Sequence, residues 1–419
     1  MRFSREDDEF RGEIAAWLAA NVPAELRGAG GPGREHEAFA QRLAWNRRLA
    51  AAGWTCLGWP AAYGGHDATL AQQVIFYEEY ARSRAPARVA VVGEELLGPT
   101  LIAFGTPEQR RRFLPPIAAV EELWCQGYSE PGAGSDLAAV ATTAVRDGGE
   151  WVINGQKVWT SLAHVADWCF VLARTVPDPA SPGGHPSGLV GSGPPSPLAT
   201  GTPRRRRSAG LSYLLVPMDQ PGVTVRPIRQ LTGTSEFNEV FFDGARTPAE
   251  NVVGAPGDGW RIARATLECE RGAGMLGQQV GFRRELGELV DSTRQSGREN
   301  EPLLRDRLAM AWIGLEVMRA YALDTLGEPA PGEPPRTGAE PSVLKALWSR
   351  WHQALGELAM DVRGASSMVG VTTEGADDLD AWQRLYLFGR AETIYGGSDE
   401  IQRNIIATRA LGLPRQARP

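Results

Sequence analysis

The sequence predicts an α+β protein with three successive parts: an N-terminal α-helical domain, a middle β-barrel-like domain and a C-terminal helical bundle. Three observations indicate this order. Apolar residues recur at helical spacing near the N-terminus, short runs of strand-forming residues fill the middle of the chain, and helical spacing returns after Gly259. With 419 residues the chain can bury several cores, and we expect the domains to cover residues 1–122, 123–250 and 251–419.

The first domain is predicted to begin with a capped helix. Ser4 and Asp7 have the spacing of an N-terminal capping box. Apolar residues then recur at helical spacing: Phe10, Ile14, Trp17 and Leu18. Thr106 repeats the start signal, because Pro107 follows at the first helical position and Gln109 at the third. The first domain is therefore predicted to be mostly helical.

The middle domain is predicted to contain short strands. Asn154-Gly155 is typical of a two-residue type I′ turn, so we expect a β-hairpin there. The residues that flank this turn are strand formers: Trp151, Val152, Ile153, Val158 and Trp159. Further strand-like runs are 168–172, 213–216, 223–225 and 240–242, the last expected to end at Asp243-Gly244.

A segment rich in Pro, Gly and Ser runs from Val176 to Gly210 and contains four successive arginines at 204–207. It has too few apolar residues to order itself, so we predict a disordered, solvated insertion. A basic patch for nucleic acid is the less favoured interpretation.

The third domain is predicted to be a helical bundle. Its most regular pattern has apolar residues in steps of three and four: Leu304, Leu308, Ala311, Leu315, Met318 and Ala322.

Composition limits the function. A net charge of −6 gives no footprint for nucleic acid or an acidic membrane surface, so we expect a small-molecule partner. The four cysteines lie far apart and the five histidines are scattered, which favours neither disulfides nor a metal site. The charged N-terminus resembles no signal peptide, and no apolar run is long enough for membrane insertion. We expect a cytoplasmic protein.

Two segments match the glycine pattern of dinucleotide-binding loops, and both are predicted to be unrelated to it. That pattern needs a buried strand before it and a helix after it. Residues 28–33 follow a helix and contain Pro32, which favours a loop. Residues 272–277 lie within a helical pattern, where Gly274, Gly277 and Gly281 are expected to permit close helix packing.

The most informative motif has two pieces. Tyr128-Ser129-Glu130-Pro131-Gly132-Ala133-Gly134-Ser135-Asp136 is a glycine-rich loop in which backbone N–H groups can approach a ligand, and Asn154-Gly155-Gln156-Lys157-Val158-Trp159-Thr160-Ser161 follows it. Together they resemble the FAD-binding β-domain of the acyl-CoA dehydrogenase family. The resemblance continues to Leu411-Gly412-Leu413-Pro414 and implies a C-terminal four-helix bundle.

The resemblance implies that FAD binds against the β-domain. Ser129 matches the hydroxyl residue that contacts the flavin pyrimidine, with Gln126 and Tyr128 nearby. Trp159 matches the indole beside the isoalloxazine ring, and Ser161 matches the hydroxyl that bonds flavin N5.

Other positions carry further expectations from the same resemblance. Ser135 matches the serine that touches the CoA portion of the substrate. Further expected cofactor contacts are Gly134, Thr160, Gly397, Ser398 and Glu400. For the last three the alternative is a glycine-rich turn that starts a helix over 401–410.

The implied reaction is α,β-dehydrogenation of an acyl-CoA. It needs a carboxylate to take the α-proton and hydrogen-bond donors for the developing enolate oxygen. Most family members carry the base in Tyr-Glu-Gly-Thr, but this chain has Tyr395-Gly396-Gly397-Ser398. Gly396 therefore stands where the glutamate is expected, although its backbone N–H is still expected to stabilise the enolate oxygen.

Isovaleryl-CoA and long-chain acyl-CoA dehydrogenases place the base on an earlier helix, immediately before an arginine. Glu270-Arg271 matches that site, so we expect Glu270 to be catalytic and Arg271 to contact the substrate. Glu268 lies two residues earlier and points to another helical face. The alternative is a subunit that has lost catalysis.

Two segments depart from the family pattern for FAD contacts across a subunit interface. Asp361-Val362-Arg363-Gly364-Ala365 replaces Gln-x-x-Gly-Gly, and an added Asp near a pyrophosphate is repulsive. Phe282-Arg283-Arg284-Glu285 only roughly resembles Arg-x-x-x-Phe-Gly. We therefore hypothesise that a related subunit supplies these contacts, as in heteromeric actinobacterial-type members that handle sterol side chains.

The partners implied by the resemblance are an acyl-CoA substrate and an electron-transferring flavoprotein as electron acceptor. We expect a homo- or hetero-tetramer, or a dimer. An acyl-CoA oxidase that uses O₂ is a further alternative, because it shares the fold. Acyl chain length and branching leave no readable motif.

Overall fold

The computed structural model describes residues 3–176, 208–269, 274–326, 337–373 and 376–414. The expected insertion, apart from its first residue and its last three, lies outside the described residues, as do Glu270 and Arg271. The described chain is an N-terminal helical domain, a middle sheet domain and a C-terminal helical domain, so the predicted fold class is confirmed.

Five α-helices form the described N-terminal part: α1 (Arg5–Asn21), α2 (Phe39–Ala51), α3 (Leu70–Arg82), α4 (Gly98–Phe104) and α5 (Pro107–Ala118). Both predicted start signals are confirmed. Ser4 and Asp7 form a reciprocal capping box at α1, and Thr106 and Gln109 form one at α5. Each box satisfies backbone donors that the first helical turn leaves free.

The middle domain is one eight-stranded sheet. Its strands are β1 (Trp124–Gly127), β2 (Thr143–Asp147), β3 (Glu150–Ser161), β4 (Trp168–Val176), β5 (Leu211–Pro217), β6 (Val223–Ile228), β7 (Phe237–Pro248) and β8 (Val252–Val253). They follow the order β6-β7-β3-β2-β4-β5-β8, and β1 pairs in parallel with β4.

The predicted hairpin at Asn154-Gly155 is wrong. Strand β3 runs through this dipeptide, and the turn lies at residues 148–149 between β2 and β3. Gly155 is needed for close approach, because a Cβ there would lie 2.5 Å from Thr142 Oγ1. Strand β7 also continues past Asp243-Gly244, where it was expected to end. At this point the Gly244 N–H donates a hydrogen bond to Asn154 Oδ1 (2.9 Å). The two turn-like dipeptides meet at an irregularity in the sheet.

The C-terminal part contains α6 (Gly259–Cys269), α7 (Gly274–Gln295), α8 (Pro302–Leu326), α9 (Glu340–Arg363), α10 (Ala381–Glu392) and α11 (Asp399–Ile405). A small antiparallel pair, β9 (Val371–Thr373) and β10 (Ala376–Asp378), precedes α10. Helices α7 to α10 pack together as the bundle. The apolar pattern of α8 is confirmed, because Leu304, Leu315 and Met318 are buried in its core.

Neither glycine pattern forms a dinucleotide-binding loop in the described residues. Residues 28–33 lie in the connection between α1 and α2. Gly277 in α7 packs against Tyr77 of α3, where a Cβ would lie 2.7 Å from the Tyr77 carbonyl oxygen. The close packing predicted for Gly277 is confirmed, but the same prediction is wrong for Gly281, where a Cβ would meet no atom within 4 Å. In the described part of the chain, no helix is long and apolar enough to cross a membrane.

A buried histidine links three helices of the bundle. His352 of α9 bonds Glu392 of α10 through Nδ1 (2.8 Å) and Glu285 of α7 through Nε2 (2.9 Å). Burial works to lower the pKa of His352, but the hydrogen bonds and charges of the two glutamates outweigh it and raise the pKa to about 10. The imidazolium therefore joins the helices as a cation between two carboxylates.

This pKa predicts an alkaline loss of stability. The contribution of His352 is complete below its unfolded pKa of about 6.5, declines by up to about 1.4 kcal/mol per pH unit above it, and is gone once the pH passes the folded pKa. We expect wild-type protein to lose stability relative to His352→Gln between pH 7 and 10, measured by urea unfolding at several pH values. Parallel curves for the two proteins would contradict the assignment.

Candidate active site

The loop after β1 is held from below by a buried lysine. Lys157 of β3 is fully buried, and its Nζ donates to the carbonyl oxygens of Tyr128 (3.1 Å) and Leu172 (2.7 Å) and to Glu130 Oε1 (2.8 Å). All three ammonium protons therefore have an acceptor. These bonds tie the start of the loop to β3 and β4.

Glu130 completes this anchor. Its carboxylate also accepts hydrogen bonds from the backbone N–H groups of Ala141 (2.6 Å) and Thr142 (2.9 Å). Burial works to raise the pKa of Glu130, but the charge of Lys157 and these donors outweigh it and hold the pKa below its usual value. Burial also lowers the pKa of Lys157. We treat the pair as ionised, because every lone pair and proton facing inward is matched.

The loop itself is open to a ligand. A Cβ at Gly134 would meet no atom within 4 Å, and Ser135 beside it is exposed. The Ser129 carbonyl accepts a hydrogen bond from the Val158 N–H (2.9 Å), which brings the two pieces of the motif together.

Trp159 stands out from the sheet. The pairing of β3 with β7 shifts register between Lys157 and Thr160, and Trp159 has a φ of 61°. Its indole is 58 % exposed, and the ring of Phe237 lies roughly perpendicular to it with ring centroids 6.2 Å apart. An exposed indole held by a bulge is suited to stack on a planar ring.

The residues around Trp159 fit a flavin. Gln126 Nε2 and Thr160 Oγ1 are buried atoms without a hydrogen-bond partner among the described residues. Such groups are costly unless a bound molecule satisfies them. Ser161 is half-buried, and the Thr160 carbonyl is fixed by Asn238 Nδ2 (3.1 Å). Donors and acceptors beside an exposed aromatic face match the polar edge and planar ring of FAD.

A second group of expected residues lies in the turn between α10 and α11. Gly396 and Gly397 have φ values of 63° and 89°, which favour glycine. Ser398 and Glu400 line a cavity of about 440 Å³ with Arg350 and Asp399. The pKa of Glu400 is lowered by its own backbone N–H and by the Ser398 hydroxyl. The helix begins at Asp399, two residues before the start considered from the sequence.

Glu270 and Arg271, the expected base and its neighbour, lie outside the described residues between α6 and α7. The helix that precedes them, α6, is anchored to the N-terminal domain. Its Thr266 is fully buried, and the Thr266 hydroxyl bonds that of Thr100 in α4 (2.8 Å).

The two segments that depart from the family pattern make contacts with other residues of this chain. The Asp361 carboxylate bonds Arg307, and Arg298 Nη1 donates to the Asp361 carbonyl (2.6 Å). Phe282 is buried with its ring 4.4 Å from that of His352. Asp361 is therefore already paired with a cation of its own bundle.

Two further residues of the site had no role in the sequence-based prediction. Lys157 lies inside the recognised motif, on a strand that also carries the buried Trp151 and Ile153. Gln402 bonds the carbonyls of Gly396 (2.9 Å) and Gly397 (3.1 Å), and no sequence pattern indicates this contact.

Comparison with family models gives three matches. Residues 4–121 match "Acyl-CoA dehydrogenase, N-terminal domain", residues 125–192 the middle domain and residues 257–411 the C-terminal domain. Together these matches cover most of the chain.

Similar proteins agree with these models. The chain is 60 % identical to acyl-CoA dehydrogenase IpdE1 of Mycobacterium tuberculosis, over 98 % of this chain and 99 % of the relative. It is 56 % identical to IpdE1 of Mycolicibacterium smegmatis over 99 % of both chains.

Solved structures agree as well. The Tcur3481-Tcur3483 steroid ACAD superposes with a TM-score of 0.79 at 30 % identity, over 99 % of both chains. The ChsE4-ChsE5 complex from Mycobacterium tuberculosis gives a TM-score of 0.76 at 29 % identity, over 100 % of both chains.

The buried pair beneath the loop makes a testable prediction. Lys157→Met leaves the Glu130 carboxylate uncompensated, so we expect a loss of about 3–5 kcal/mol in the free energy of unfolding, measured by urea denaturation. Arg111→Met is the control, because its pair with Glu108 is exposed and is expected to contribute less than about 1 kcal/mol. Equal losses in both variants would contradict an ionised buried pair.

Proposed function

Because this chain belongs to the acyl-CoA dehydrogenase family, we propose that it converts an acyl-CoA thioester to the trans-2-enoyl-CoA. The observation that carries this proposal is the open loop anchored by Lys157 and joined to β3 by the Ser129–Val158 hydrogen bond. The strands that flank this loop carry the exposed indole of Trp159 and two buried atoms, Gln126 Nε2 and Thr160 Oγ1, that have no hydrogen-bond partner among the described residues. FAD, the cofactor of the family, supplies the acceptor for the β-hydrogen when it is bound.

The chain's own groups hold the cofactor in this proposal. Gln126 and Thr160 satisfy their buried polar atoms on the polar edge of the flavin, with Tyr128, Ser129 and Ser161 nearby. Trp159 covers the ring. Gly134 leaves space at the loop, and Ser135 beside it contacts CoA. These assignments rest on the motif, on the buried polar atoms of Gln126 and Thr160, and on the exposure of Trp159, Gly134 and Ser135.

Glu270 takes the α-proton in this proposal. Two facts support it: Gly396 offers no carboxylate at the usual position, and α6, whose end leads to Glu270, is anchored by the buried Thr266–Thr100 bond. Arg271 follows as a substrate contact. The backbone N–H of Gly396 stabilises the developing enolate oxygen, and this requires no side chain.

The chain is proposed to work with a second, related subunit. Helix α8 exposes an apolar stripe to solvent: Leu303, Met310, Ile313 and Val317. An exposed apolar helix face of this kind indicates an interface. Asp361 stands where the family pattern has a glutamine, and its carboxylate is held by Arg307 of its own bundle. In this proposal a related subunit therefore completes the flavin contacts and forms a heterotetramer or dimer with this chain. Two of the similar structures are named with two components each.

The proposed substrate class is a bulky, sterol-derived acyl-CoA. This follows the similarity to a protein described as a steroid ACAD, at 30 % identity over nearly all of both chains. The proposed electron acceptor is an electron-transferring flavoprotein, and the proposed location is the cytoplasm. Rapid aerobic release of peroxide during turnover would instead favour an oxidase.

The base assignment is tested by Glu270→Gln. We expect the variant to keep its flavin and to reduce it about 10²–10⁴-fold more slowly when acyl-CoA is added anaerobically, since a general base is lost. Stopped-flow bleaching of the flavin measures this rate. Glu268→Gln is the matched control, because it removes the same kind of carboxylate two positions earlier, where the family resemblance places no base. Normal reduction of Glu270→Gln would refute the assignment.

The same assay separates the enzyme from a non-catalytic subunit. A yellow protein that acyl-CoA bleaches supports the enzyme. A colourless protein that becomes active only with a partner supports the subunit. Screening acyl-CoAs of different size in this assay identifies the substrate.

The assembly is tested by placing charges on α8. We expect Ile313→Glu with Val317→Glu to yield monomers in native mass spectrometry, because buried unpaired carboxylates oppose association. Arg305→Glu, at an exposed polar position of the same helix, is the control and is expected to retain assembly. A flavin-saturated homotetramer of this chain alone would contradict a heteromeric assembly.

A further inference from the structure

We propose that Gln402 is a positioning residue that aims the backbone N–H groups of the turn from Gly396 to Ser398 at the thioester oxygen of the substrate. This inference rests on the proposed function. It adds a residue that lies outside the recognised motifs. The same side chain then accounts for the orientation of the peptide units of both glycines in the turn.

The side-chain amide of Gln402 joins two successive peptide units. Its Nε2 donates to the carbonyl oxygens of Gly396 (2.9 Å) and Gly397 (3.1 Å), and the residue is fully buried in α11. The amide orientation is fixed by chemistry, because both partners are acceptors and only the nitrogen can face them. Oε1 is buried without a hydrogen-bond partner among the described residues, so the two carbonyl contacts are what retain this side chain.

Holding a carbonyl also directs the next N–H. In a trans peptide the C=O of one residue and the N–H of the next point in opposite directions, and the described chain has no cis peptide. With the carbonyls of Gly396 and Gly397 facing Gln402, the N–H groups of Gly397 and Ser398 face away from α11. Gly396 and Gly397 both have left-handed φ values, which the turn can adopt because neither residue carries a Cβ.

These N–H groups are available to a ligand. Among the described residues, the N–H groups of Gly396, Gly397 and Ser398 enter no hydrogen bond. Their neighbours do: the N–H of Tyr395 bonds the Ala391 carbonyl (3.0 Å), and that of Asp399 bonds the Thr393 carbonyl (3.0 Å). Three successive free donors in a half-buried turn form a site for developing negative charge on oxygen.

The turn is also supported from the other side. Lys345 Nζ donates to the carbonyl of Glu392, the last residue of α10, and lies 5.1 Å from the ring centroid of Tyr395. The entry to the turn is therefore fixed by Lys345 and its exit by Gln402. The donors are backbone N–H groups, so their direction is set by the conformation of the turn. That conformation depends on the contacts that Lys345 and Gln402 make with it.

The test uses flavin-loaded enzyme in its native assembly and the variant Gln402→Met, which has similar size but no donor. We expect the rate of flavin reduction by acyl-CoA to fall about 10- to 100-fold, less than for outright loss of an oxyanion donor, with acyl-CoA binding changed less than about threefold. A 3-thia-acyl-CoA provides a second readout. Its α-proton is removed without hydride transfer, and we expect the long-wavelength absorption of its enolate on the flavin to be lost.

The matched control is Gln109→Met. Gln109 is also a buried glutamine whose Nε2 donates to two carbonyls, those of Glu250 (2.6 Å) and Val252 (2.8 Å), far along the chain from the turn. We expect it to lower stability and to leave the enolate absorption intact. Gln402→Glu, which replaces the donor by an acceptor, is the second variant and is expected to lose more activity than Gln402→Met.

The outcomes are distinguishable. If wild-type flavin is not bleached by any acyl-CoA, the proposed function fails. If wild type is bleached and Gln402→Met retains the enolate absorption, only the role of Gln402 fails. If both Gln402 variants fail to fold while Gln109→Met folds, the role of Gln402 is structural and the proposal is overturned.

Discussion

A single buried ammonium group determines the geometry of the cofactor side of this protein. Lys157 lies where β1, β3 and β4 come together, and a charge there is tolerated only because Glu130 and two carbonyl groups occupy all three of its protons. Moving any one of these acceptors would leave part of the charge unsatisfied. The loop that begins at Tyr128 is therefore rigid at its base, although its outer glycines are open to solvent.

The C-terminal side of the site uses the same physical solution. A polar side chain buried beneath a loop captures backbone carbonyls and so fixes the direction of the N–H group that follows each of them. Lys157 does this for Tyr128, and Gln402 does it for Gly396 and Gly397. Because the donors belong to the backbone, they need no reorganisation of side chains when charge develops, which is the condition for effective electrostatic stabilisation.

Much of the fold was predictable because its signals are local. Capping boxes at Ser4 and Thr106 and the apolar steps along α8 each involve residues within a few positions of one another. The hairpin at Asn154-Gly155 failed for the opposite reason. The conformation of this dipeptide is decided by Thr142 and Gly244, which lie far away in sequence and reach it only through the sheet.

The site divides in the same way. Trp159 and the loop glycines were found because a sequence motif carries them, and their exposure agrees with a ligand-facing position. The register shift that pushes Trp159 out of the sheet, and the contact between Gln402 and the glycine turn, depend on pairing and helix packing.

Glu270 was selected by the absence of a carboxylate at Gly396. That argument is chemical: a turn without side chains can stabilise an enolate, but it cannot accept a proton, so the base has to come from another element. In the proposed mechanism, a glycine at 396 and a base on the segment between α6 and α7 are two halves of one arrangement, in which the turn supplies only backbone donors and gains the room that a glutamate would fill.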